Sequence, residues 1–230
     1  TYWHSSSHLM AHAITKLYPE AKFGVGPAIE TGFYYDIDIN TRLTEEDLVK
    51  IENKMAELSK EDKPFCRKEL SKEEARKLFE AKEDEYKLEL IDGLDEETTA
   101  ISIYEEGDFT DLCRGPHLPG AGKIKFFKLL SVSGSYWRGD EKNKRMQRIY
   151  GVSFPKKKML DDYLMFLEEA KKRDHRKLGK QLDLFSIHDE AGAGLVYWHP
   201  KGARIRHEIE KFWKEAHFEK QKQDLLVGVY

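Results

Sequence analysis

The sequence predicts an α+β fold in which an antiparallel sheet carries helices packed against it. Three observations lead to this class. Apolar residues recur at helical spacing in some segments, other segments alternate apolar and polar residues as half-buried strands do, and the two kinds follow one another in mixed order. Mixed order favours antiparallel pairing, because parallel strands require a regular alternation of strands and crossover helices.

The composition of the 230 residues is that of an ordinary globular protein, with 40% hydrophobic residues. Lys and Arg number 39 and Asp and Glu 42, so an anionic partner would have to meet a local basic patch rather than the net charge of −3. Two cysteines, and no apolar run approaching the roughly 18 residues of a membrane span, predict a reduced, cytoplasmic setting without membrane contact. The chain begins with a helical pattern and no signal peptide, and we expect it to be a fragment of a longer chain.

The first predicted elements are a helix, a strand and two further helices. Apolar residues at helical spacing predict a helix over residues 4–17. After a loop, residues 33–40 alternate apolar and polar side chains, which predicts a half-buried strand. Thr44 is a suitable cap for the second helix, and Ser71 with Glu74 forms the capping-box pattern of the third.

The middle of the chain is predicted to form several strands. Residues 86–90 alternate apolar and charged side chains, which predicts a strand that presents Lys87 on its polar face. A short strand is predicted at 101–103. Residues 123–130 and 145–154 are rich in aromatic and branched side chains and predict two more strands, separated by a loop rich in glycine and serine.

The pattern changes after Pro155. Residues 155–180 predict a connecting helix with a strongly charged end, and a glycine-rich stretch at 192–194 precedes a short apolar segment. Pro200 then starts a last helix. Its apolar stripe consists of Ile205, Ile209, Phe212 and Ala216.

Four soft ligand groups form the most informative motifs. His4 and His8 lie one helical turn apart, with three small serines between them that would let another segment approach closely. Cys113 and His117 flank a loop containing Gly and Pro. Together the three imidazoles and the thiol match a tetrahedral zinc set, or three ligands with an open position. The same groups equally suit metal-free acid–base hydrolysis, and the residues alone leave this choice open.

Two charged residues accompany this cluster. Asp111 stands two positions before Cys113, so in an extended segment both would project to one side, where the carboxylate could orient a histidine or hold a water. Lys87 would add positive charge nearby. The alternative interpretations are a turn or capping role for Asp111 and a solvated lysine at 87.

A basic segment covers residues 142–158, with seven Lys or Arg and no acidic residue. It could follow a phosphate backbone. Immediately before it, Tyr136, Trp137 and Arg138 could stack on unpaired bases, as proteins that bind single-stranded RNA ends do. The alternative is a solvated strand edge.

These motifs carry a resemblance. His-x-x-x-His at 4–8, Asp-Leu-Cys-Arg-Gly-Pro-His at 111–117 and Ser-Tyr-Trp-Arg-Gly-Asp at 135–140 resemble the editing domain of bacterial threonyl-tRNA synthetases. Residues 195–202 resemble the beginning of a class II synthetase catalytic domain. The resemblance implies an editing (second additional) domain over 1–154, a linker helix over 155–180 and a truncated catalytic-domain remnant over 181–230.

The resemblance also implies a reaction, the hydrolysis of serine wrongly esterified to the acceptor end of threonine tRNA. A second sieve is needed because the methyl group that distinguishes threonine from serine gives only about 1–3 kcal/mol of discrimination. His4, His8, Cys113 and His117 would line the pocket with Lys87, Asp111 and Tyr35. By the same resemblance, His4 and Lys87 would position or activate water, Asp111 and Cys113 would order the amino acid and ribose, and Tyr35 would shape the sieve.

Editing of this type is expected to require no metal. Alanyl-type editing domains, which carry similar motifs at an apparent zinc site, provide one alternative. A non-catalytic tRNA-binding module with a structural metal, or a metallohydrolase acting on a small substrate, provides two more. Full-length synthetases of this class are expected to dimerise through the catalytic domain, whereas this fragment is expected to be a monomer.

Synthesis of threonyl-tRNA is not expected from this chain. Segments that would bind ATP, threonine and the catalytic zinc of the full-length enzyme lie outside it, and residues 221–230 lack the proline-bearing strand that should follow the last helix. We therefore predict that ATP–pyrophosphate exchange with threonine stays at background; measurable exchange by the purified chain would contradict this.

Overall fold

The computed structural model describes residues 1–95, 100–188, 190, 192 and 194–220. The chain divides into two compact units, Thr1–Tyr163 and Leu164–Tyr230. No helix in the described part combines the length and apolar character that crossing a bilayer requires. The predicted scheme of an editing domain, a linker helix and a catalytic-domain remnant stays a prediction.

The described part of the first unit contains four complete α-helices and the start of a fifth. They are α1 (Tyr2–Leu17), α2 (Glu45–Glu61), α3 (Lys72–Ala81), α4 (Glu85–Asp92) and α5 (Lys157–Lys172). Both predicted caps are confirmed. The Thr44 side chain accepts from the Asp47 amide at the start of α2, and Ser71 forms a reciprocal capping box with Glu74 at the start of α3.

The strands of the first unit form two antiparallel sheets, which confirms the α+β class. The larger sheet has the order β1 (Lys22–Phe23), β3 (Gly32–Asp38), β8 (Arg145–Phe154), β7 (Phe126–Tyr136), with β2 (Ala28–Ile29) also paired to β3. The smaller sheet consists of β4 (Phe65–Leu70), β5 (Ile101–Glu106) and β6 (Phe109–Leu112). The predicted loop between the last two long strands is shorter than expected, because β7 continues through Gly134 to Tyr136.

The predicted strand at 86–90 is wrong, because this segment is helix α4. The Asp84 side chain caps the helix by accepting from the Lys87 amide at 3.1 Å. Tyr86 and Leu90 stand one helical turn apart as well as on alternate positions, so a run of five residues does not distinguish the two periods. Leu, Lys and Glu also favour helix over strand.

Helix α1 lies inside the unit rather than on its surface. Every residue from Ser5 to Ile14 is buried. The helix packs against α2, β3 and β8, and the hydroxyls of Ser6 and Ser153 lie 2.6 Å apart. The Trp3 indole donates to the Ser153 carbonyl at 2.7 Å. The small serines thus allow the close approach that the sequence predicts, and Ser6 with Trp3 fixes α1 to β8.

The second unit contains helices α6 (His175–Gln181) and α7 (Pro200–Glu215) and a hairpin of β9 (Phe185–Ser186) with β10 (Tyr197–Trp198). Helix α7 begins at Pro200, as predicted. Its stripe residues Ile205, Ile209 and Phe212 are all exposed. Residue 193 of the predicted glycine-rich stretch, and the tail 221–230, lie outside the described residues.

Candidate functional site

The predicted site residues converge on a cavity of about 380 Å³ in the first unit. Its walls come from α1, α4, β3, the loop after β1 and the end of β6. Six of the seven predicted pocket residues line it, namely His4, His8, Tyr35, Lys87, Asp111 and Cys113. The other lining residues were not anticipated and are Gly24, Val25, Gly26, Pro27, Leu90, Leu112 and Arg114.

The thiol of Cys113 joins the histidines of α1 to the loop after β6. Its Sγ lies 3.2 Å from Nε2 of His4 and 3.2 Å from Nε2 of His117. His8 packs against both other imidazoles, with ring centroids 5.2 Å from His4 and 4.3 Å from His117. Four groups that lie up to 113 residues apart in sequence therefore form one compact cluster.

Burial keeps all three imidazoles neutral near pH 7. It lowers the pKa of His8 to about 4, and it lowers the pKa of His117 to about 2 with a further contribution from the neighbouring histidines. Burial also lowers the pKa of His4, which is only half-buried. The Cys113 pKa is raised by burial to about 11, so the thiol keeps its proton. Neutral imidazoles can accept protons, whereas this thiol is a poor nucleophile.

A buried ion pair closes the inner end of the cavity. The Lys87 ammonium lies 2.7 Å from Oδ1 of Asp111, donates to the Gly24 carbonyl at 2.7 Å and is 3.4 Å from the Tyr35 hydroxyl. Tyr35 in turn donates to Oδ2 of Asp111, which also lies 3.6 Å from Nε2 of His8. The three hydrogens of Lys87 thus point at protein groups, so its charge acts through Asp111 and Tyr35.

The pKa values of this network follow from burial and from the charges within it. Burial raises the pKa of Asp111, but the Lys87 ammonium and His8 outweigh burial and hold that pKa below its ordinary value. Burial and the Asp111 carboxylate raise the pKa of Tyr35 well above its ordinary value. Asp111 is therefore an anion and Tyr35 a neutral donor at pH 7.

The loop at 24–27 was predicted only as a connection, yet it shapes the cavity. Gly24 supplies the carbonyl that binds Lys87. At Gly26 a side chain is excluded, because a Cβ there would lie 2.2 Å from Cδ2 of Tyr35. Two glycines placed before a proline, just ahead of a predicted strand, were the available signal for this close approach.

Two serines of α1 also hold the site, a role that the sequence did not indicate. The hydroxyl of Ser5 lies 3.0 Å from Nδ1 of His117 and accepts from the Leu118 amide at 2.8 Å. Ser7 donates to the Gly26 carbonyl at 2.8 Å. The helix thereby fixes both the imidazole of the distal loop and the glycine loop opposite it.

The predicted base-stacking group is only partly available. Trp137 is 5% exposed, and its indole donates to Glu89 at 2.7 Å while packing edge-on against Tyr86. The prediction that it stacks on a base is wrong for this conformation, since its ring belongs to the core beside α4. Tyr136 is 40% exposed and Arg138 is exposed beside Glu89, so their predicted role in substrate binding stays a prediction.

Part of the basic segment is neutralised within the protein. Arg148 forms a two-pronged pair with the buried carboxylate of Asp36, at 2.7 and 2.8 Å, and Lys144 pairs with Asp38 at 2.5 Å. The pairing follows from the sheet, because β3 places these acidic side chains beside β8. The other exposed charges of the segment are Lys142, Arg145, Lys156, Lys157 and Lys158.

The depressed histidine pKa values predict that the fold is less stable in mild acid. In the unfolded chain His8 titrates near pH 6.5, whereas the folded protein keeps it neutral down to about pH 4. The unfolded state therefore binds more protons between these values, and stability falls as the pH drops through that window. We expect His8 alone to remove about 2 kcal/mol between pH 7 and pH 5.

Urea denaturation at both pH values measures this loss. A folded His8→Gln variant is the control and should show a shallower decrease over the same interval. Equal slopes in the two proteins would contradict the assignment of the loss to His8.

The chain is similar in sequence to one protein family and to several threonine–tRNA ligases. The family described as the threonyl and alanyl tRNA synthetase second additional domain matches residues 101–150, which include Asp111, Cys113 and His117. A threonine–tRNA ligase of Dehalococcoides mccartyi is 57% identical over 223 residues, covering 97% of this chain. The chain is homologous to a segment of threonine–tRNA ligase. It covers 38% of the length of that relative.

Two other threonine–tRNA ligases give the same result. The protein of Cytophaga hutchinsonii is 56% identical over 217 residues, covering 94% of this chain and 33% of the relative. That of Caldanaerobacter subterraneus subsp. tengcongensis is 54% identical over 228 residues, covering 99% of this chain and 35% of the relative. The similarity to threonine–tRNA ligase thus extends through both compact units.

The cluster also has the donor set of a zinc site. The ligand atoms of His4, His8, Cys113 and His117 all lie within 4.8 Å of one another. Three neutral imidazoles and one sulfur are suitable zinc ligands, although the thiol would have to lose its proton. A zinc ion held by three of these groups would keep an open position and would act as a Lewis acid on a bound water or carbonyl oxygen, whereas all four would close the site.

Proposed function

We propose that this chain is the editing segment of a threonyl-tRNA synthetase and hydrolyses the ester of mischarged seryl-tRNA for threonine. One observation carries the proposal: the neutral imidazole of His4 lies at the mouth of a small cavity whose inner end is the buried Lys87–Asp111 pair. A proton acceptor beside a fixed polar pocket is what ester hydrolysis requires. Homology to threonine–tRNA ligases supports this choice of substrate.

In the proposed reaction a water molecule attacks the carbonyl carbon of the seryl ester while His4 accepts its proton. The bond from that carbon to the ribose oxygen then breaks, and the ribose oxygen takes up the proton. Free serine and uncharged tRNA are the products. Lys87 keeps Asp111 ionised and oriented, so that the carboxylate can bind the amino group of serine, and Cys113 orders the ester beside His4.

The proposed sieve is the space beside Tyr35. Its ring is buried, is fixed by the hydroxyl bond to Asp111 and lies against Gly26, so it has little freedom to move away from a larger amino acid. Threonine carries one methyl group more than serine, and a rigid wall excludes it by steric overlap. Correctly charged threonyl-tRNA would therefore be spared.

A deacylation assay tests this function. The purified chain is incubated with threonine tRNA that has been charged with serine and, separately, with the same tRNA charged with threonine. Loss of the amino acid is followed with time. We expect rapid loss of serine and background loss of threonine, with seryl-tRNA hydrolysis inhibited by uncharged tRNA at low salt. Equal rates for both esters would exclude selective editing.

The zinc-ligand geometry favours a second candidate, in which the cluster holds zinc either for hydrolysis or as a structural knot of a tRNA-binding module. We propose the metal-free reaction, in which His4 serves as the base and the Cys113 thiol keeps its proton. Exhaustive chelation separates these candidates. Deacylation retained after removal of zinc supports the metal-free reaction, and loss that zinc alone restores supports the metallohydrolase.

The pH dependence of the rate follows from the lowered pKa of His4. A general base is active above its pKa, and burial places that pKa below the ordinary histidine value of about 6.5. We therefore expect the acid limb of the deacylation rate at saturating seryl-tRNA to have its midpoint below pH 6.5. An acid limb centred above pH 7 would contradict His4 as the base.

The proposed partner is the acceptor end of tRNA, contacted by Tyr136, Arg138 and the exposed lysines of the basic segment.

We also propose that the second unit is the start of a class II catalytic domain, that the full-length enzyme is a cytoplasmic homodimer and that this fragment is a monomer. Sedimentation of the fragment and of the full-length enzyme tests the last two statements.

A further inference from the structure

A third histidine of α1 lies outside the cavity and has no part in the proposed reaction. His12 is completely buried, one turn beyond His8. Its Nε2 is 3.0 Å from Oδ1 of Asp108, and its Nδ1 is 3.4 Å from Oε1 of Glu106. Both acids belong to the hairpin of β5 and β6, since Glu106 ends β5 and Asp108 lies in the turn. The Nε2 contact is a hydrogen bond, whereas Nδ1 makes none within the described part of the chain, so it approaches Glu106 closely without bonding to it. His12 thus reaches two points of this hairpin from α1.

Glu106 faces His12 without a hydrogen bond in the described part of the chain. It is 1% exposed, and neither of its carboxylate oxygens accepts a hydrogen bond within the described part of the chain. A buried carboxylate without hydrogen bonds is strongly destabilising unless an opposite charge or a shared proton compensates it. Nδ1 of His12 lies 3.4 Å from Glu106, whereas Asp108 also has Lys16 as a partner.

The ring of His12 also reaches the site by packing. It stacks on Phe109 with a centroid distance of 5.7 Å and an interplanar angle of 14°. The same phenyl ring meets the imidazole of His8 edge-on at 6.1 Å. Phe109 stands two positions before Asp111 on β6, and both side chains are buried. Through Phe109, His12 therefore contacts β6, which carries Asp111 on one wall of the cavity. The same phenyl ring supports His8 on the other wall.

We propose that His12 is a positioning residue, which fixes the β5–β6 hairpin against α1 and so sets the distance of Asp111 and Cys113 from His4 and His8. The role rests on the proposed deacylase function. Misplacement of catalytic groups by about 1 Å can lower a rate on the order of 100-fold, so a bridge between the two walls affects the chemical step.

Two variants separate positioning from stability. His12→Phe keeps the stack on Phe109 but removes the imidazole that faces the Glu106 carboxylate. It should lower both the melting temperature and kcat. His12→Phe/Glu106→Leu removes the buried carboxylate as well and should recover most of the melting temperature. We expect kcat for seryl-tRNA to stay about tenfold below the parent in the double variant, with KM nearly unchanged. Recovery of kcat together with the melting temperature would overturn the proposal.

A second measurement does not depend on the reaction. The chain has two cysteines, and Cys66 is exposed, so a Cys66→Ser background leaves Cys113 as the thiol that iodoacetamide modifies. We expect alkylation of Cys113 to be at least severalfold faster in the folded double variant, because the hairpin is released from α1. An unchanged rate would overturn the proposal. If the parent chain fails to hydrolyse seryl-tRNA, the proposed function fails and alkylation alone decides the role of His12.

Discussion

Lys87→Met is expected to destabilise the fold by about 3–5 kcal/mol. The ammonium and the Asp111 carboxylate are both almost completely buried, and their closest atoms are 2.7 Å apart. Methionine keeps the length of the side chain but leaves Asp111 as an isolated buried anion. The carboxyl group would then have to take up a proton or the cavity would have to open.

Urea denaturation at pH 7 measures this effect. Lys50→Met is a matched control, because Lys50 makes a surface pair with Asp47 and its side chain is 62% exposed, so a change within about 0.5 kcal/mol is expected. The double variant Lys87→Met/Asp111→Leu should recover a large part of the loss. A Lys87→Met protein as stable as the control would show that the pair is not buried in solution.

His4→Ala is expected to lower seryl-tRNA deacylation by about 10²–10⁴-fold, which is the contribution of a positioned general base. His4 is only half-buried and lies at the mouth of the cavity, so its removal should leave the fold largely intact. The quantity to measure is the single-turnover rate constant with enzyme in excess, since it isolates the chemical step.

His175→Ala provides the control for this substitution, because the side chain of His175 is 86% exposed in the second unit. Its rate should equal that of the parent. A His4→Ala protein that stays folded and keeps more than about a tenth of the parental rate would exclude His4 as the base and direct attention to His8 or His117.

Local patterns predicted the elements that carry most of the site. The helical spacing of residues 4–17 correctly placed His4 and His8 on one side of α1, and the capping patterns at Thr44 and Ser71 correctly located the next two helices. These signals are local, because periodicity and caps depend on neighbours within one or two turns.

The convergence of His4 with Cys113 could not be read from spacing. It depends on the packing of α1 against the smaller sheet, across about a hundred residues of sequence. The ordered motifs of a known family supplied that link, and the donor chemistry of the four groups agreed with it. The structure adds the contacts that motifs do not record, such as the Ser5 bond to His117.

The incorrect expectations concern residues whose surroundings are tertiary. The segment of Lys87 was predicted to be a strand with this lysine on its polar face, yet the segment is helix α4, which turns the side chain inward to Asp111. Trp137 reads as an exposed stacking ring, but Glu89 of the same helix accepts its indole hydrogen and draws the ring into the core. In both cases the deciding partner lies far away in sequence.

The contacts between α1 and β8 impose an order on assembly during synthesis. The hydroxyl of Tyr2 and the indole of Trp3 bind carbonyls of Phe154 and Ser153, respectively 152 and 150 residues later in the chain. A growing polypeptide therefore exposes its histidine helix to solvent and chaperones until β8 has emerged from the ribosome. The proposed deacylase activity would thus be acquired late, and a product truncated before residue 145 would carry all the site residues without the strand that holds them.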